Sequence, residues 1–380
     1  MYKRAINLPK LLKLKSYFLF GPRSTGKSTL IREQLPQAMV YDLLDYEIYN
    51  KLLKHPKTIE EEVEALDSRP EVIVIDEVQK LPHLLDEVHR LIEQKNYKFL
   101  LTGSSARKLK HGGANLLAGR AWQSNLFSLT SKEITDFDLI KYLNIGGLPQ
   151  VYTSSYPNEE LKSYVNTYLR EEVQAEALTR NIQAFAEFLD AIALSNAEEI
   201  NYEGLARDCQ ISPSTLKNYI QILEDTLIGF KLEAYTKTKK RKAITRSKHY
   251  LFDIGITNRL CNRGEIKPKS ELFGKAFEHF IILELRAYLS YFRKDEKLSY
   301  WRSTSQFEVD AIIGNKLAIE IKATSSVNDS HLKGLRALME ENQIKSFVVV
   351  SLDKQKRKTD DGIIIWPWKE FLSSLWNDQV

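Results

Sequence analysis

Short apolar runs alternate with amphipathic helical patterns over the first 145 residues. Runs of this length, separated by helices, are typical of a parallel sheet that is covered on both faces. The predicted strands are Tyr17–Phe20, Met39–Tyr41, Val72–Ile75, Phe99–Leu101 and Trp122–Phe127. The pattern therefore predicts an α/β domain over residues 1–145, with a parallel sheet and helices on both of its faces.

A cluster of residues that break regular structure, Gly146-Gly147-Leu148-Pro149, ends this first domain. A mostly helical pattern continues from there to about residue 225. From about residue 266 the chain reads as a helix, a strand hairpin, a helix and a strand. We therefore expect a helical middle domain over residues 146–265 and a small α/β domain over residues 266–380.

Composition and charge exclude several classes of protein. Lys and Arg number 55 and Asp and Glu 50, so the net charge of +5 is too small to make the whole surface a nucleic-acid footprint. No apolar run approaches the ~18–20 residues that span a bilayer, so we expect no membrane partner. The cysteines, Cys209 and Cys261, lie far apart, which argues against a disulfide framework and favours a reducing cytoplasm.

The segment Gly21–Ser28 fits the phosphate-loop pattern GxxxxGK[ST]. Backbone N–H groups of such a loop turn toward phosphate oxygens, Lys27 reaches the β- and γ-phosphates, and the Ser28 hydroxyl ligates Mg²⁺. The helix pattern that follows adds its dipole to anion binding. A glycine turn that only caps a helix is the alternative. The predicted nucleotide-binding residues are Gly21, Pro22, Arg23, Ser24, Thr25, Gly26, Lys27, Ser28 and Thr29.

Two carboxylates, Asp76 and Glu77, come directly after the apolar run Val72–Ile75. At the carboxyl end of a strand, Asp76 would orient the hydrated Mg²⁺, and Glu77 would polarise the attacking water. An acidic pair that caps a helix is the alternative. Because the phosphate loop precedes this pair in the same domain, we favour the catalytic interpretation.

Hydroxyl groups and arginines supply the remaining candidates of this domain. Ser104, in Thr102–Ser105 after the next strand, is expected to sense the γ-phosphate, although Ser and Thr also cap helices. Arg120 precedes the fifth strand and is a candidate arginine finger that acts in trans between subunits of a homo-oligomer. A solvated surface arginine is the alternative, and Arg107 is a weaker candidate for the same role.

The middle segment has the order helix, turn, helix, strand. A helix around Leu205 is followed by a second helix that Ser212 caps and Pro213 begins, and then by a strand at Ile228–Leu232. This order matches winged-helix DNA-binding folds. Modules of this kind also mediate protein contacts, so a protein partner is the alternative. The residues expected to face a DNA groove are Ser214, Lys217 and Asn218.

A basic stretch follows this strand. Eight basic residues stand against one acidic residue, Glu233, between Lys231 and Lys248. A local excess of this size is suited to phosphate contacts, and Lys237–Lys242 would form a basic wing on DNA. A lysine-rich loop that is only solvated is the alternative.

Near the C-terminus, the register of one hairpin decides whether two carboxylates meet. With a two-residue turn through Gly314-Asn315, Asp310 and Glu320 point to opposite faces. With a three-residue loop through Lys316, Asp310 lies across from Glu320. We favour the second register because it alone places the apolar residues of the hairpin on one face. These residues are Val309, Ile313, Leu317, Ile319 and Ile321.

Two carboxylates on adjacent strands can bind Mg²⁺ or Mn²⁺. Lys322, two residues after Glu320, would stabilise the charge that develops on a scissile phosphate or activate water. Glu278, on a predicted helix, would supply a further ligand. The alternative is a Glu–Lys pair that is solvated on an open face.

Taken together, these segments resemble a group of bacterial and archaeal AAA-type ATPases. The C-terminal domain of that group, of unknown function, carries a PD-(D/E)xK nuclease-like core. The stretches that carry the resemblance are GPRSTGKSTL, VIVIDEVQKLP, FLLTGSSARKL, GGLP, NTYLREEV, KHYLFDIGITNRL, GKAFEHFIILEL and FEVDAIIGNKLAIEIK. The resemblance implies ATP and Mg²⁺ binding, ATP hydrolysis, a winged-helix-like middle domain, and a nuclease-like pocket at Glu278, Asp310, Glu320 and Lys322. Val309 stands where the nuclease signature has proline.

Three functions remain open at this point. The first is an ATPase that acts as a switch or motor on DNA or on a protein partner. The second is an ATP-gated nuclease that holds a second Mg²⁺ or Mn²⁺ in the C-terminal pocket. The third is a nucleotide-sensing DNA-binding or adaptor module with little turnover.

Overall fold

A computed structural model describes residues 2–105, 107, 109, 117, 119–169 and 182–380. Residues 170–173 of NTYLREEV, and residues 106 and 108 of FLLTGSSARKL, lie outside the described residues. The elements of the first domain are α1 (Leu8–Leu14), β1 (Ser16–Phe20), α2 (Lys27–Gln34), β2 (Met39–Asp42), α3 (Tyr46–Lys54), α4 (Thr58–Glu64), β3 (Ile73–Asp76), a 3₁₀ turn (Val78–Lys80), α5 (Leu84–Lys95), β4 (Phe99–Gly103) and β5 (Ala121–Asn125).

In the described part of this domain, five parallel strands form one sheet in the order β2-β3-β4-β1-β5. Every residue of β1 is buried. Phe18 and Phe20 pack into the core on one face of the sheet, and Tyr17 and Leu19 into the core on the other. The predicted parallel sheet with helices on both faces is therefore confirmed, and each predicted strand overlaps an observed one. Because the strands are parallel, the loops after β1, β3 and β4 meet at one edge.

The middle segment is mainly helical. Its elements are α6 (Leu139–Ile145), α7 (Pro149–Thr153), α8 (Pro157–Ser163), a π-helical turn (Tyr164–Leu169), α9 (Ile182–Leu194), β6 (Glu198–Glu199), α10 (Tyr202–Asp208), α11 (Pro213–Asp225), β7 (Gly229–Ala234), β8 (Lys248–Leu251) and α12 (Ile254–Leu260). The predicted cap is present, since the Ser212 hydroxyl accepts a bond from the Thr215 N–H at 3.1 Å. The predicted order of two helices followed by a strand is also present. The winged-helix assignment itself stays a prediction.

The C-terminal segment adds further strands and helices. They are α13 (Glu271–Tyr291), β9 (Leu298–Arg302), β10 (Glu308–Ile313), β11 (Leu317–Lys322), a 3₁₀ turn (Asp329–Leu332), α14 (Lys333–Met339), β12 (Ser346–Ser351), β13 (Arg357–Lys358), β14 (Ile364–Pro367) and α15 (Trp368–Trp376). The pattern predicted the α13 helix, the β10–β11 hairpin, α14 and β12. It missed β9, β13 and β14.

The middle and C-terminal segments share one sheet. Among the described residues, nine strands pair in the order β13-β14-β12-β11-β10-β9-β7-β8-β6. The junction is a parallel pairing between β7 and β9, where Glu233 aligns with Ser299 and Ala234 with Tyr300. One apolar core also extends across residue 265. The predicted boundary at 265/266 therefore does not separate two sheets, and the division into domains stays a prediction.

The register of the β10–β11 hairpin agrees with the three-residue loop. Ile313 pairs with Leu317, and Ala311 pairs with Ile319. One part of the prediction is wrong, because Val309 packs into the core opposite to that of Ile313. A shift in the pairing of β10 with β9 between Val309 and Ile312 causes this, since a bulge inserts a residue and reverses the alternation of side chains.

The basic stretch is also less open than expected. Lys248 is buried, and the Arg241 guanidinium is 2.7 Å from a carboxylate oxygen of Glu340. The buried Glu341 carboxylate accepts bonds from the backbone N–H groups of residues 239–241. The basic loop is thus docked at the C-terminal end of α14, where the Arg241 guanidinium also donates to the Ala337 carbonyl at 2.9 Å, and its outward charge is smaller than the sequence indicates. The basic residues of this stretch that do remain exposed are Lys237, Lys239, Lys240, Lys242 and Arg246.

None of the helices in the described part of the chain has both the length and the apolar character needed to cross a bilayer.

Candidate functional site

The predicted phosphate loop lies between β1 and α2, and its backbone has the expected unusual turns. Ser24 and Gly26 have φ angles of 60° and 93°, in the left-handed region. The Thr25 hydroxyl donates a bond of 2.8 Å to the Pro22 carbonyl, which holds the loop closed. A Cβ atom at Gly21 would lie 2.5 Å from the Leu126 carbonyl oxygen, so only glycine fits there. The loop is therefore built to present backbone groups rather than side chains.

Lys27 is buried inside this loop. Its ammonium donates to the Gly21 carbonyl at 2.7 Å and to the Pro22 carbonyl at 3.3 Å. These carbonyl groups belong to the loop that would surround the phosphates. The ammonium is thus positioned to exchange these oxygens for phosphate oxygens, which bind a cation more strongly.

The loop and strand β3 meet through Ser28 and Asp76. The Ser28 hydroxyl donates a bond of 2.9 Å to Asp76 Oδ2, and the Thr102 hydroxyl donates to Asp76 Oδ1. Asp76 is the last residue of β3, as predicted, and is buried. A serine hydroxyl beside a carboxylate at the mouth of the loop fits the oxygen ligands that a partly hydrated Mg²⁺ prefers. The structure therefore brings together the two predicted magnesium ligands.

Glu77, Gln79 and Ser104 form a second polar group beside Asp76. Glu77 has a φ of 59°, so the chain turns sharply after β3. The buried amide of Gln79 donates to the Glu77 carboxylate and, at 3.1 Å, to the Ser104 hydroxyl. The carbonyl oxygen of this amide is buried and has no hydrogen-bond partner within the described residues. Gln79 was not predicted from the sequence, although a polar residue two positions after Glu77 was a usable signal.

Both predicted arginine candidates are ion-paired within the chain. The Arg120 guanidinium contacts the Glu93 carboxylate on α5 at 2.5 Å, and the Arg107 guanidinium contacts the Asp225 carboxylate at 3.0 Å. Asp225 is the last residue of α11, so Arg107 joins the first domain to the middle segment. An action of Arg120 in trans stays a prediction.

The middle segment touches the phosphate loop and the loop after β4. The Tyr164 hydroxyl donates a bond of 3.2 Å to the Arg23 carbonyl, and the Arg23 guanidinium lies 5.4 Å from the centre of the Tyr168 ring. On the other side, the Ser105 hydroxyl donates a bond of 3.2 Å to the Asp225 carbonyl. Both sides of the candidate phosphate site therefore rest against the middle segment.

A cavity of about 350 Å³ opens on the other flank of the phosphate loop. Thr29, the last predicted nucleotide-binding residue, lines it together with Ser24, Gly26 and Tyr2. The cavity thus adjoins the start of helix α2.

The C-terminal carboxylates form a separate pocket. The Lys322 ammonium lies 2.6 Å from Glu320 Oε1 and 3.6 Å from Asp310 Oδ2, so it joins the two carboxylates across the hairpin. Asp310 Oδ2 also accepts a bond of 2.7 Å from the Ile321 N–H. Burial raises the pKa of Glu320 well above its usual range, and the neighbouring Asp310 raises it further. Asp310 and Glu320 are therefore neighbours, as the register predicted.

Glu278 faces the same pocket but has other partners. Its Oε1 accepts a bond of 2.7 Å from the Tyr250 hydroxyl and lies 3.4 Å from the Lys248 ammonium. Lys248 also contacts the Glu308 carboxylate at 2.6 Å. Burial raises the pKa of Glu278, whereas Lys248 lowers it. Lys248, Tyr250 and Glu308 were not predicted, because their role depends on pairing between strands that are far apart in sequence.

Each of the three carboxylates predicted as joint metal ligands, Glu278, Asp310 and Glu320, has a lysine ammonium within 4 Å. In the part of the chain that the structure describes, no group of three or more His, Cys, Asp and Glu side chains is arranged to hold a metal ion. The assignment of Glu278, Asp310 and Glu320 as joint metal ligands stays a prediction.

Comparison with protein families agrees with the geometry of the first domain. Residues 13–135 match the family described as "AAA domain". Residues 136–267 match "Domain of unknown function (DUF8612)", and residues 273–371 match "Domain of unknown function (DUF4143)". The chain thus carries an AAA domain, which indicates an ATP-binding, ATPase-like function, followed by two domains whose functions are not established.

The relatives are bacterial and archaeal proteins. An uncharacterized protein of Mycobacterium tuberculosis is 23% identical over 370 residues, which cover 94% of this chain and 80% of the relative. An uncharacterized protein of Methanocaldococcus jannaschii is 24% identical over 370 residues, which cover 89% of this chain and 79% of the relative. The similarity therefore extends over nearly the whole chain.

Proposed function

We propose that this protein is a Mg²⁺-dependent ATP hydrolase that acts as a switch or motor on DNA or on a protein partner. The observation that carries the proposal is the 2.9 Å bond from the Ser28 hydroxyl to the Asp76 carboxylate at the mouth of the phosphate loop. This bond joins the two groups that the pattern assigns to magnesium. Bound Mg²⁺ would supply charge neutralisation for the phosphates.

Residues of the chain would bind the phosphates, activate the attacking water and sense the terminal phosphate. Loop N–H groups and Lys27 would bind the phosphates, and Glu77 would accept the proton of the attacking water. Gln79 would hold the Glu77 carboxylate in place, because it donates to it in the structure. Ser104, which shares the same Gln79 amide, would sense the terminal phosphate.

The contacts with the middle segment would transmit changes at the nucleotide site to that segment. Changes in the phosphate loop would reach the Tyr164 hydroxyl, and changes in the loop after β4 would reach Asp225. Ser214, Lys217 and Asn218 on α11 are exposed, as the DNA interpretation requires. The exposed lysines of the basic loop between β7 and β8 would add a surface for phosphate contacts. A partner protein on the same surface is the alternative.

An ATPase assay with and without duplex DNA tests the proposal. The wild type should hydrolyse ATP, Lys27→Met should lose ATP binding, and Glu77→Gln should keep binding while turnover falls by about 100-fold or more. Lys54→Met, on an exposed face of α3, is the matched control. If the wild type is no faster than Glu77→Gln, the protein is a nucleotide-sensing binder. Stimulation by DNA identifies DNA as the partner class, whereas an unchanged rate favours a protein partner.

A concentration series tests the arginine finger. If Arg120 acts in trans, specific activity should rise with protein concentration in the wild type and stay flat and low in Arg120→Ala. A flat specific activity in the wild type would remove the trans role.

A second candidate function is an ATP-gated, metal-dependent nuclease. The observation that favours it is the position of Lys322 between Asp310 and Glu320. We expect Asp310→Ala to abolish Mn²⁺-dependent nicking of DNA while ATP binding stays intact. Asp329→Ala is a control, since Asp329 is exposed on the surface. Nicking that is equal in Asp310→Ala and the wild type would remove this candidate.

A further inference from the structure

Lys248 differs from the other charged residues of the basic stretch. It belongs to β8, next to the exposed basic loop, yet its side chain is only 6% exposed. Its ammonium lies 2.6 Å from Glu308 Oε1, 3.4 Å from Glu278 Oε1, and 5.3 Å from the centre of the Tyr300 ring. Lys248 was predicted to be part of a DNA-binding surface, but its ammonium lies in the pocket formed by Glu278, Glu308, Asp310 and Glu320, which we call the carboxylate pocket.

The pocket has two halves, and each half holds one lysine between two carboxylates. Lys248 lies between Glu278 and Glu308, and Lys322 lies between Asp310 and Glu320. The halves differ in access, because the Lys322 side chain is 32% exposed. The Lys322 ammonium can therefore reach solvent, whereas the Lys248 side chain is only 6% exposed. Separating a buried ion pair leaves uncompensated charges unless another cation takes the place of the lysine. We therefore expect Lys248 to stay in place, whereas a divalent cation could take over Asp310 and Glu320 from Lys322.

The two halves also differ in unused oxygen atoms. In the Lys248 half, Glu278 Oε1 already accepts the bond from the Tyr250 hydroxyl at 2.7 Å. In the Lys322 half, Glu320 Oε2 is buried and has no hydrogen-bond partner within the described residues. A buried carboxylate oxygen without a partner is costly, and a cation would satisfy it.

We propose that Lys248 is a built-in cation that permanently fills the Glu278–Glu308 half of the pocket. The pocket then accepts a single divalent cation, on Asp310 and Glu320, when Lys322 moves aside. Glu278 is not a ligand of that cation but the partner of Lys248. This inference rests on the second candidate function above, and it replaces a three-carboxylate site by a two-carboxylate site with a lysine in the place of a second metal ion.

Titration of the full chain with Mn²⁺, followed by the EPR signal of free Mn²⁺ without nucleotide or DNA, tests this proposal. The wild type should bind one Mn²⁺ more than Asp310→Asn does, and this difference assigns the ion to the pocket and not to Ser28 and Asp76. Glu308→Gln should change the affinity by less than about tenfold, because Glu308 belongs to the Lys248 half. Lys248→Met should bind a second Mn²⁺ or bind the first at least about tenfold more tightly, since a competing charge is removed. Lys54→Met should behave as the wild type.

Each result decides the matter. Two Mn²⁺ ions in the wild-type pocket, or a loss in Glu308→Gln as large as that in Asp310→Asn, would overturn the assignment of Lys248 as a fixed cation. No Mn²⁺ in the wild-type pocket would overturn the cation site itself. The Glu308→Gln comparison decides the matter even if Lys248→Met does not fold, because glutamine keeps the shape of a side chain that is one-third exposed, and Glu278 still accompanies Lys248. Since nucleotide is absent, the outcome is independent of ATP hydrolysis, and since binding is measured, it is independent of nicking.

Discussion

The guanidinium of Arg4 donates a hydrogen bond of 2.7 Å to the backbone carbonyl of Thr25 in the phosphate loop. The same buried guanidinium contacts the Glu133 carboxylate at 3.0 Å and donates to the Tyr291 hydroxyl at 3.3 Å. Tyr291 is the last residue of α13, and Glu278 of the carboxylate pocket lies on the same helix. Arg4 thus connects the phosphate loop with α13, the helix that carries Glu278 of the carboxylate pocket.

Arg4→Met should destabilise the folded protein by about 3 kcal/mol or more, because it leaves the buried Glu133 carboxylate without its counter-charge. Denaturant unfolding followed by circular dichroism measures this loss. Arg207→Met, at a side chain that is 84% exposed, is the control and should change stability by less than about 0.5 kcal/mol. The double variant Arg4→Met/Glu133→Gln should lose less than the sum of the single variants. A strictly additive pair would contradict this role of Arg4.

Gln79 should act as a positioning residue for Glu77. Because its amide donates to both Glu77 and Ser104, Gln79→Ala should lower kcat for ATP hydrolysis by about 10- to 100-fold and leave KM for ATP nearly unchanged. Steady-state kinetics separates the two constants. Gln37→Ala, at an exposed position after α2, should have no effect. A rise in KM with an unchanged kcat would mean that Gln79 shapes the binding site and not the hydrolytic step.

The local parts of the fold and site were predictable from the sequence. The phosphate loop depends on glycines and a lysine at fixed spacing, and the position of Asp76 depends on the end of one apolar run. Both features depend on residues that lie close together in the sequence, so the sequence pattern is sufficient to predict them. The neighbourhood of Asp310 and Glu320 was also predictable, because a slip of one residue would have exposed an apolar face.

The remaining features depend on contacts between distant residues. Arg4 bonds to Glu133 across 129 positions, and Lys248 reaches Glu278 across 30. The periodicity of hydrophobic residues does not predict contacts between residues so far apart in sequence. A lysine in a basic stretch is therefore predicted to be exposed, and only the pairing of β8 within the sheet shows that Lys248 is buried. The predicted face of Val309 was wrong for a related reason, since the bulge in β10 arises from its pairing with β9.

The ion pair between Arg107 and Asp225 should couple the AAA domain to helix α11. Both side chains are largely buried, so a double-mutant cycle with Arg107→Met and Asp225→Asn should give a coupling energy of about 1 kcal/mol or more in denaturant unfolding. The exposed pair Lys51–Glu62 is the matched control and should give about 0.5 kcal/mol or less. If both cycles give the same small value, Arg107 does not contribute to domain coupling.

Glu284 should make stability depend on pH in a defined window. This carboxyl lies on α13 and accepts bonds from the Ser131 N–H at 2.7 Å, the Ser131 hydroxyl at 2.8 Å and the Trp376 indole N–H at 2.6 Å. Burial raises its pKa from 4.5 to about 7, although these three bonds oppose the shift. The folded state therefore keeps the proton up to about pH 7, whereas the unfolded state releases it near pH 4.5.

Between these two values the unfolded state binds fewer protons than the folded state, so the contribution of Glu284 to stability is complete below pH 4.5 and falls as pH rises to about 7. The total loss is on the order of 3 kcal/mol. Glu284→Gln cannot release a proton, so the free energy of unfolding of the wild type minus that of the variant should fall by this amount between pH 4.5 and 7.5. This difference cancels the contributions of other titrating groups, including the buried histidines, and chemical denaturation at several pH values measures it. Glu203→Gln, at an exposed position, is the control, and its free energy of unfolding should depend on pH as that of the wild type does. If the free energy of unfolding of Glu284→Gln also follows the wild type at every pH, Glu284 is ionised in the folded protein throughout this range.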